Sequence, residues 1–193
     1  MLVIKEELKK MFKIIALIGE AGTGKDTLMQ RILAKYPLAF NEIISCTTRP
    51  MREGEVEGVN YFYLTPEEFA GKVLNGEMLE ATSFNDWFYG TSYDSLRSDC
   101  TNIGVFNPDG IRAMSGMPGV DVTVFKITCT DKIRLLRQLN REENPDVDEI
   151  VRRYKTDKED FFDLEFKYTE VENNDAEDLD LATVAIVGQL GLT

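Results

Sequence analysis

The chain has 193 residues, a formal net charge of −12 and a hydrophobic content of 43%. That length suits one domain, or one domain with sub-lobes, and no apolar run approaches the roughly 20 residues of a membrane span. The acidic balance argues against a nucleic-acid partner, and the lack of any histidine excludes Ser-His or Cys-His nucleophiles and histidine-ligated zinc.

Residues 1–10 mix charges of both signs, lack the apolar centre of a signal peptide, and read as an N-terminal extension before Met11. "KIIALI" (13–18) is a continuous apolar, β-branched run that suits a buried parallel strand. Leu28, Ile32, Leu33 and Tyr36 then share one face at helical spacing, and Pro37 stops that helix. "NEIISC" (41–46) reads as a second strand, 49–60 as a charged loop, and "YFYL" (61–64) as a short strand. Thr65, Pro66 and Glu68 spell a capping box for a helix running to about Asn75. "TNIGVF" (101–106) and "VTVFKITC" (122–129) are further strands, followed by helices over about 131–141 and 146–163. "KYTEVE" (167–172) reads as the last strand. Leu179, Ala182, Ile186 and Leu190 mark a closing helix. Alternating strands and helices predict an α/β parallel sheet, interrupted over about 46–95. Cys46, Cys100 and Cys129 form neither a metal pattern nor a disulfide framework, which fits a reducing, cytoplasmic setting.

The chemistry concentrates in "GEAGTGKDT" (19–27). Gly19, Gly22 and Gly24 allow the backbone to curl so that successive N–H groups point into one concavity, and the helix beginning near Lys25 adds its positive end. A plain glycine turn with a surface lysine is the alternative. The G-x-x-x-x-G-K spacing, after a buried strand and opening a helix, favours a phosphate loop. Asp26 stands where a Ser or Thr is usual. It is a hard-oxygen ligand suited to Mg²⁺ and is also favoured in a first helical turn, so metal ligation and simple capping both stay open.

A second anion site follows. Arg49 and Arg52 are three apart in a turn-prone segment and can converge on one phosphate, with hydroxyls of Tyr61 and Tyr89 in support. Here the motifs become specific. "S-x-T-T-R-x-x-R-x-G-E-x-x-G-x-x-Y", then "GEMLE" and "FYGT", resemble guanylate kinase, and the likeness runs from about 13 to 175. The resemblance implies a three-layer P-loop nucleoside monophosphate kinase fold with a parallel core sheet, a small acceptor lobe and a helical lid. Its core would be 11–45 and 92–193, with the lid within about 131–155 and the acceptor lobe at 46–91. It implies transfer of the γ-phosphoryl of ATP, with Mg²⁺, to GMP or dGMP.

By the same resemblance, ATP lies on Gly19, Glu20, Ala21, Gly22, Thr23, Gly24, Lys25, Asp26 and Thr27, with Asn173 or Asn174 at the adenine. Ser45, Arg49, Arg52, Tyr61 and Tyr89 hold the acceptor phosphate, and Glu80 and Thr91 read guanine. Guanine's adjacent N1–H and N2–H groups suit one carboxylate, whereas adenine would leave it unpaired. Lys25, Arg137, Arg141 and Arg153 fall on the catalytic positions, and one of Arg152 and Arg153 is a solvated helix charge. The family's aspartates at the end of the third core strand are replaced by Val105 and Asn107, with Asp109 displaced by two, so Asp26 or Asp109 is expected to compensate. Two alternatives are a broader deoxynucleoside monophosphate kinase and a non-catalytic interaction domain. The expected state is monomer or homodimer, without membrane or nucleic-acid partners.

Overall fold

The computed structural model describes residues 11–52, 54–84, 86–141, 143–189 and 191; the expected extension at 1–10 and the helical position of Leu190 lie outside them. The first strand, β1 (Phe12–Ile18), follows from its composition: every side chain from Ile14 to Ile18 is buried. After the loop, α1 (Lys25–Lys35) buries Leu28, Met29 and Ile32, and stops at Tyr36 before Pro37. Full burial of a side chain such as Leu28 or Ile32 contributes about 1.5–3 kcal/mol.

The expected strand over 41–46 is instead two. β2 (Phe40–Glu42) pairs in parallel with β7 (Thr101–Val105), in the register Phe40↔Thr101. β3 (Cys46–Thr47) belongs to another sheet. Ile43 stays buried past the end of β2 and its N–H still reaches the Ile103 carbonyl, so nothing local marks where the chain changes sheets. The remaining strands are β4 (Phe62–Tyr63), β5 (Met78–Phe84), β6 (Trp87–Ser92), β8 (Val120–Thr128) and β9 (Thr169–Glu172).

One sheet has the order β2-β7-β1-β8-β9, with β8 and β9 parallel, and the other has the order β4-β3-β6-β5. In the second sheet β3–β4 is parallel, while β3–β6 and β5–β6 are antiparallel.

The capping box forms as read: Thr65 Oγ1 accepts the Glu68 N–H, Glu68 returns the bond to the Thr65 N–H, and α2 (Pro66–Leu74) follows. α3 (Pro108–Met114) has no counterpart in the sequence reading. α4 (Asp131–Leu139) and α5 (Val147–Asp160) are a little shorter than expected. The last helix, α6 (Ala176–Gly188), starts earlier than the apolar spacing indicated, because Asp175 caps it by accepting the N–H groups of Glu177 and Asp178.

The chain divides into two compact units. One takes in the chain up to Ile15, Leu38–Gly104 and Asp109–Val122; the other takes in Ala16–Pro37, Val105–Pro108 and the chain from Thr123 onward. Phe40, Ile43, Phe69, Leu79, Ile103, Ile111 and Met114 are buried in the first. Leu17, Ile18, Leu28, Ile32, Phe125, Ile127 and Ile186 are buried in the second. Among the described residues, no helix is long and apolar enough to cross a membrane.

Candidate active site

The glycine loop lies wholly in the second unit. Gly19, Gly22 and Gly24 have φ of 147°, 85° and 84°, which L side chains rarely adopt. Gly22 also packs on α4, where a Cβ would come within 2.6 Å of the Arg134 carbonyl oxygen. Gly24 caps α1 in the left-handed region with no side-chain cap, so the helix's first amides have no side-chain acceptor at the N-cap. The Lys25 ammonium spans the loop, donating to the carbonyls of Gly19 at 2.7 Å and Glu20 at 3.1 Å. Burial lowers the Lys25 pKa, opposed by Asp26 and Asp157 and assisted by Arg153 and Arg134. Thr23 is buried, its hydroxyl donating to the Glu20 carbonyl at 2.9 Å, whereas Asp26 and Thr27 are exposed.

The arginines expected to form a lid differ in what they touch. Arg137 is spent on backbone carbonyls: those of Gly22 and Thr23 at 3.4 Å, Asn173 at 2.9 Å and Asn174 at 3.2 Å. It ties the loop to the β9–α6 connection. Arg141 is exposed, two residues beyond the last residue of α4. On α5 the neighbouring pair separates: Arg152 lies on the solvent side in an ion pair with Glu149 at 2.6 Å, and Arg153 is half-buried among the charges acting on Lys25. Asn173 is buried, donating to the Thr23 carbonyl at 2.8 Å. Asn174 accepts the Thr130 N–H at 3.0 Å and donates to Asp178 at 3.0 Å.

The sequence reading passed over Arg134, Glu20's partner. Its guanidinium is 0% exposed, contacting Glu20 at 2.7 Å, Asp157 at 3.2 Å and Asp131 at 3.3 Å. Asp157 in turn accepts the Ala21 N–H at 2.6 Å. The only local signal was the spacing of Arg134 three before Arg137, on the same helical face.

The residues expected to bind the acceptor lie in the first unit. Arg49, 5% exposed, donates to Glu55 at 2.8 Å and to the Pro50 carbonyl at 2.8 Å. Its guanidinium lies over the rings of Tyr61 and Tyr63, at 5.5 and 5.8 Å. The other Glu55 oxygen accepts the Arg52 N–H at 2.8 Å and the Tyr63 hydroxyl at 2.7 Å. Burial alone would raise the Glu55 pKa, but these donors lower it to about 2. Arg49 and Arg52 therefore meet on one anion, with the difference that Arg52 does so through its backbone while its side chain is exposed. Tyr61 and Tyr89 meet edge to face with ring centres 6.1 Å apart, and Ser45 is half-buried beside β4. Glu55 and Tyr63 were not singled out from sequence, although Glu55 stands within the R-x-G-E motif.

Glu80 faces Thr91 across β5–β6, next to a β-bulge between Met78 and Glu80. It is 8% exposed, and burial raises its pKa to about 7, tempered by the Thr91 hydroxyl and amide. Thr91 is fully buried, and its hydroxyl oxygen has no hydrogen bond of good geometry. Such a pair is costly unless a ligand with N–H donors satisfies it. Gly90 permits this arrangement, since a Cβ there would lie 2.5 Å from the Glu80 carbonyl oxygen. Asp109 is exposed and paired with Arg112 at 2.8 Å.

Comparison with known proteins follows the same lines. A family model described as guanylate kinase matches residues 11–184. Guanylate kinase from Chlorobium luteolum is 38% identical over 91 residues, 47% of this chain and 44% of that relative. The one from Mycoplasmoides gallisepticum is 42% identical over 91 residues, 47% of each chain. The chain thus spans about half the length of the curated relatives it matches. A crystal structure of guanylate kinase from Anaplasma phagocytophilum has a TM-score of 0.67 at 20% identity, covering 95% of this chain and 86% of that one. At that identity the likeness is one of fold.

Proposed function

The chain belongs to the guanylate kinase family, and on that premise we propose that it transfers the γ-phosphoryl of ATP to the phosphate of GMP or dGMP. An acceptor phosphate oxygen forms the new bond to the γ-phosphorus, the bond to the β–γ bridging oxygen breaks, and ADP leaves with that oxygen. The observation that supports this most directly is the buried Glu80 carboxylate beside the buried Thr91 hydroxyl. Together they suit a base edge with adjacent N–H donors, which guanine has and adenine lacks.

The loop amides and Lys25 bind the donor's outer phosphates. Lys25 already spans that loop, so meeting a phosphate costs it two carbonyl contacts rather than a large reorganisation. Arg153 and Arg141 stabilise charge spreading over the transferred group. Arg137 holds the loop in shape from behind. Arg49, Arg52, Ser45, Tyr61 and Tyr89 bind the acceptor phosphate. No covalent intermediate is needed, since positioning and charge neutralisation supply the rate.

Asp26 would hold Mg²⁺. It is exposed in the first turn of α1, and among the described residues no cluster of three or more His, Cys, Asp or Glu could hold a metal alone. A single carboxylate completed by phosphates and water is an ordinary Mg²⁺ site, and a bound ion would there neutralise part of the donor's phosphate charge. The match to relatives described as guanylate kinases favours neither the broader deoxynucleotide kinase nor the non-catalytic domain.

The test is ADP release measured against a panel of ribo- and deoxynucleoside monophosphates, with Lys25→Ala as control. Turnover confined to GMP and dGMP, and lost in the variant, is expected. Turnover with every acceptor, or with none, overturns the reading.

A further inference from the structure

Arg134 carries a concentration of contacts that the proposed reaction does not use. It is the largest fully buried side chain in the molecule as described, and it joins three elements of one unit. Its Nε donates to the Ala21 carbonyl at 3.0 Å, and its terminal nitrogens meet Glu20 of the loop, Asp131 of its own helix and Asp157 of α5. The Tyr154 ring lies 5.1 Å from the guanidinium carbon, with its hydroxyl on Asp131 at 2.7 Å. Lys158 reaches Asp131 at 3.1 Å and Glu20 at 3.8 Å.

A buried arginine with several carboxylates is weak evidence for stability as such, because desolvation offsets much of the attraction. What it does supply is geometry. Asp157 Oδ2 accepts both from Arg134 and from the Ala21 N–H, so α5 is held to the loop at one point with one rotation about its axis. Arg153 lies four residues before Asp157, hence on the same helical face. Arg153 is half-buried on that face, and its charge acts on Lys25.

We propose that Arg134 and Asp157 are positioning residues that set Arg153 against the donor loop, and so place its guanidinium at the transferred phosphoryl group. This rests on the kinase reading above. Neither residue touches the nucleotide; both act through Arg153.

A double-substitution cycle tests it, using Arg134→Met, Asp157→Asn, Arg153→Ala and the pairwise combinations. Each of Arg134→Met and Asp157→Asn is expected to lower kcat by roughly ten- to a hundredfold, the scale of a slight misplacement of a catalytic group. KM for GMP should change by less than about twofold, because the acceptor is bound elsewhere. In the Arg153→Ala background the same substitutions should change kcat by less than about threefold, since the group they position is gone.

Multiplying effects overturn the proposal, as does an unchanged kcat in the single variants. A tighter grip on ATP in Asp157→Asn also overturns it, because Asp157 would then be a competitor for the loop amides. Removing Arg134 leaves Glu20 and Asp157 without their buried counter-charge, and that variant is at risk of not folding. The Asp157→Asn and Arg153→Ala cycle then carries the test alone, since an amide oxygen can still accept from Ala21. If the wild-type chain binds ATP but does not phosphorylate GMP, the kinase reading fails by itself. The cycle is then read on ATP affinity, where additivity sinks the positioning role.

Discussion

Arg49 and Glu55 form a 2.8 Å ion pair whose acid is held on its other side by the amide of Arg52 and the hydroxyl of Tyr63. This segment is thus shaped around an anion that belongs to the chain, and of its donors the Arg49 guanidinium is one proposed to meet an incoming phosphate.

This makes a pH prediction with a definite sign. Glu55 is lowered from 4.5 to about 2. Its ionised form therefore contributes stability that is present above about pH 4.5 and is lost as pH falls through about 2. The difference in melting temperature between wild type and Glu55→Gln should be largest above pH 5 and should shrink toward pH 2. A difference that does not vary with pH would contradict the pairing.

Glu80 has the opposite sign. Its carboxyl is raised from 4.5 to about 7, so the stability it contributes is present below about pH 4.5 and is lost as pH rises through 7. Glu80→Gln should gain on wild type in denaturant midpoint between pH 5 and pH 8. In kinetics, the ionised carboxylate is the form that accepts guanine's N–H groups. The kcat/KM for GMP should therefore rise through about pH 7 in wild type beyond the rise in Glu80→Gln, where only the phosphate of GMP titrates, near 6. Parallel profiles would remove Glu80 from the base site.

Gly90 is required by contact rather than by backbone angle. An alanine methyl there would lie 2.5 Å from the Glu80 carbonyl oxygen and 2.6 Å from Met78 Cε. Gly90→Ala should cost about 1–3 kcal/mol in denaturant unfolding, the usual range for overpacking, and should raise KM for GMP by displacing Glu80. Wild-type stability and KM together would show that the hairpin gives way freely.

Arg152 and Arg153 should separate cleanly. Arg152 pairs with Glu149 on an exposed helical face, worth at most a few tenths of a kcal/mol, so Arg152→Ala should leave turnover near wild type. Arg153→Ala should lower kcat by about a hundredfold or more, the scale of losing one preorganised charge at a transition state. Steady-state rates on the two variants decide between them, and equal losses would refute the assignment.

Several features of this protein were legible in local order. The apolar run at 13–18, the glycines at 19, 22 and 24 and the amphipathic segment after them specify strand, loop and helix, because each depends on neighbours within a few positions. The same holds for the Thr65 capping box, whose partners are three residues apart. The residues expected to hold the acceptor stand in a motif, and what they touch could not be read from it.

Only the tertiary structure decided the rest. Arg134 and Ala21 are 113 positions apart, and nothing near either one marks the other as its partner. Ile43 stays buried and hydrogen-bonded past the end of β2, so the stretch that reads as one strand hides where the chain changes sheets. Arg152 and Arg153 are chemically identical neighbours, and only the packing of α5 leaves one exposed and the other half-buried. Burial of Glu80 depends on how β5 pairs with β6. Short-range preferences set the elements; the desolvation and pairing of charges, which give the site its chemistry, arise only when distant segments pack.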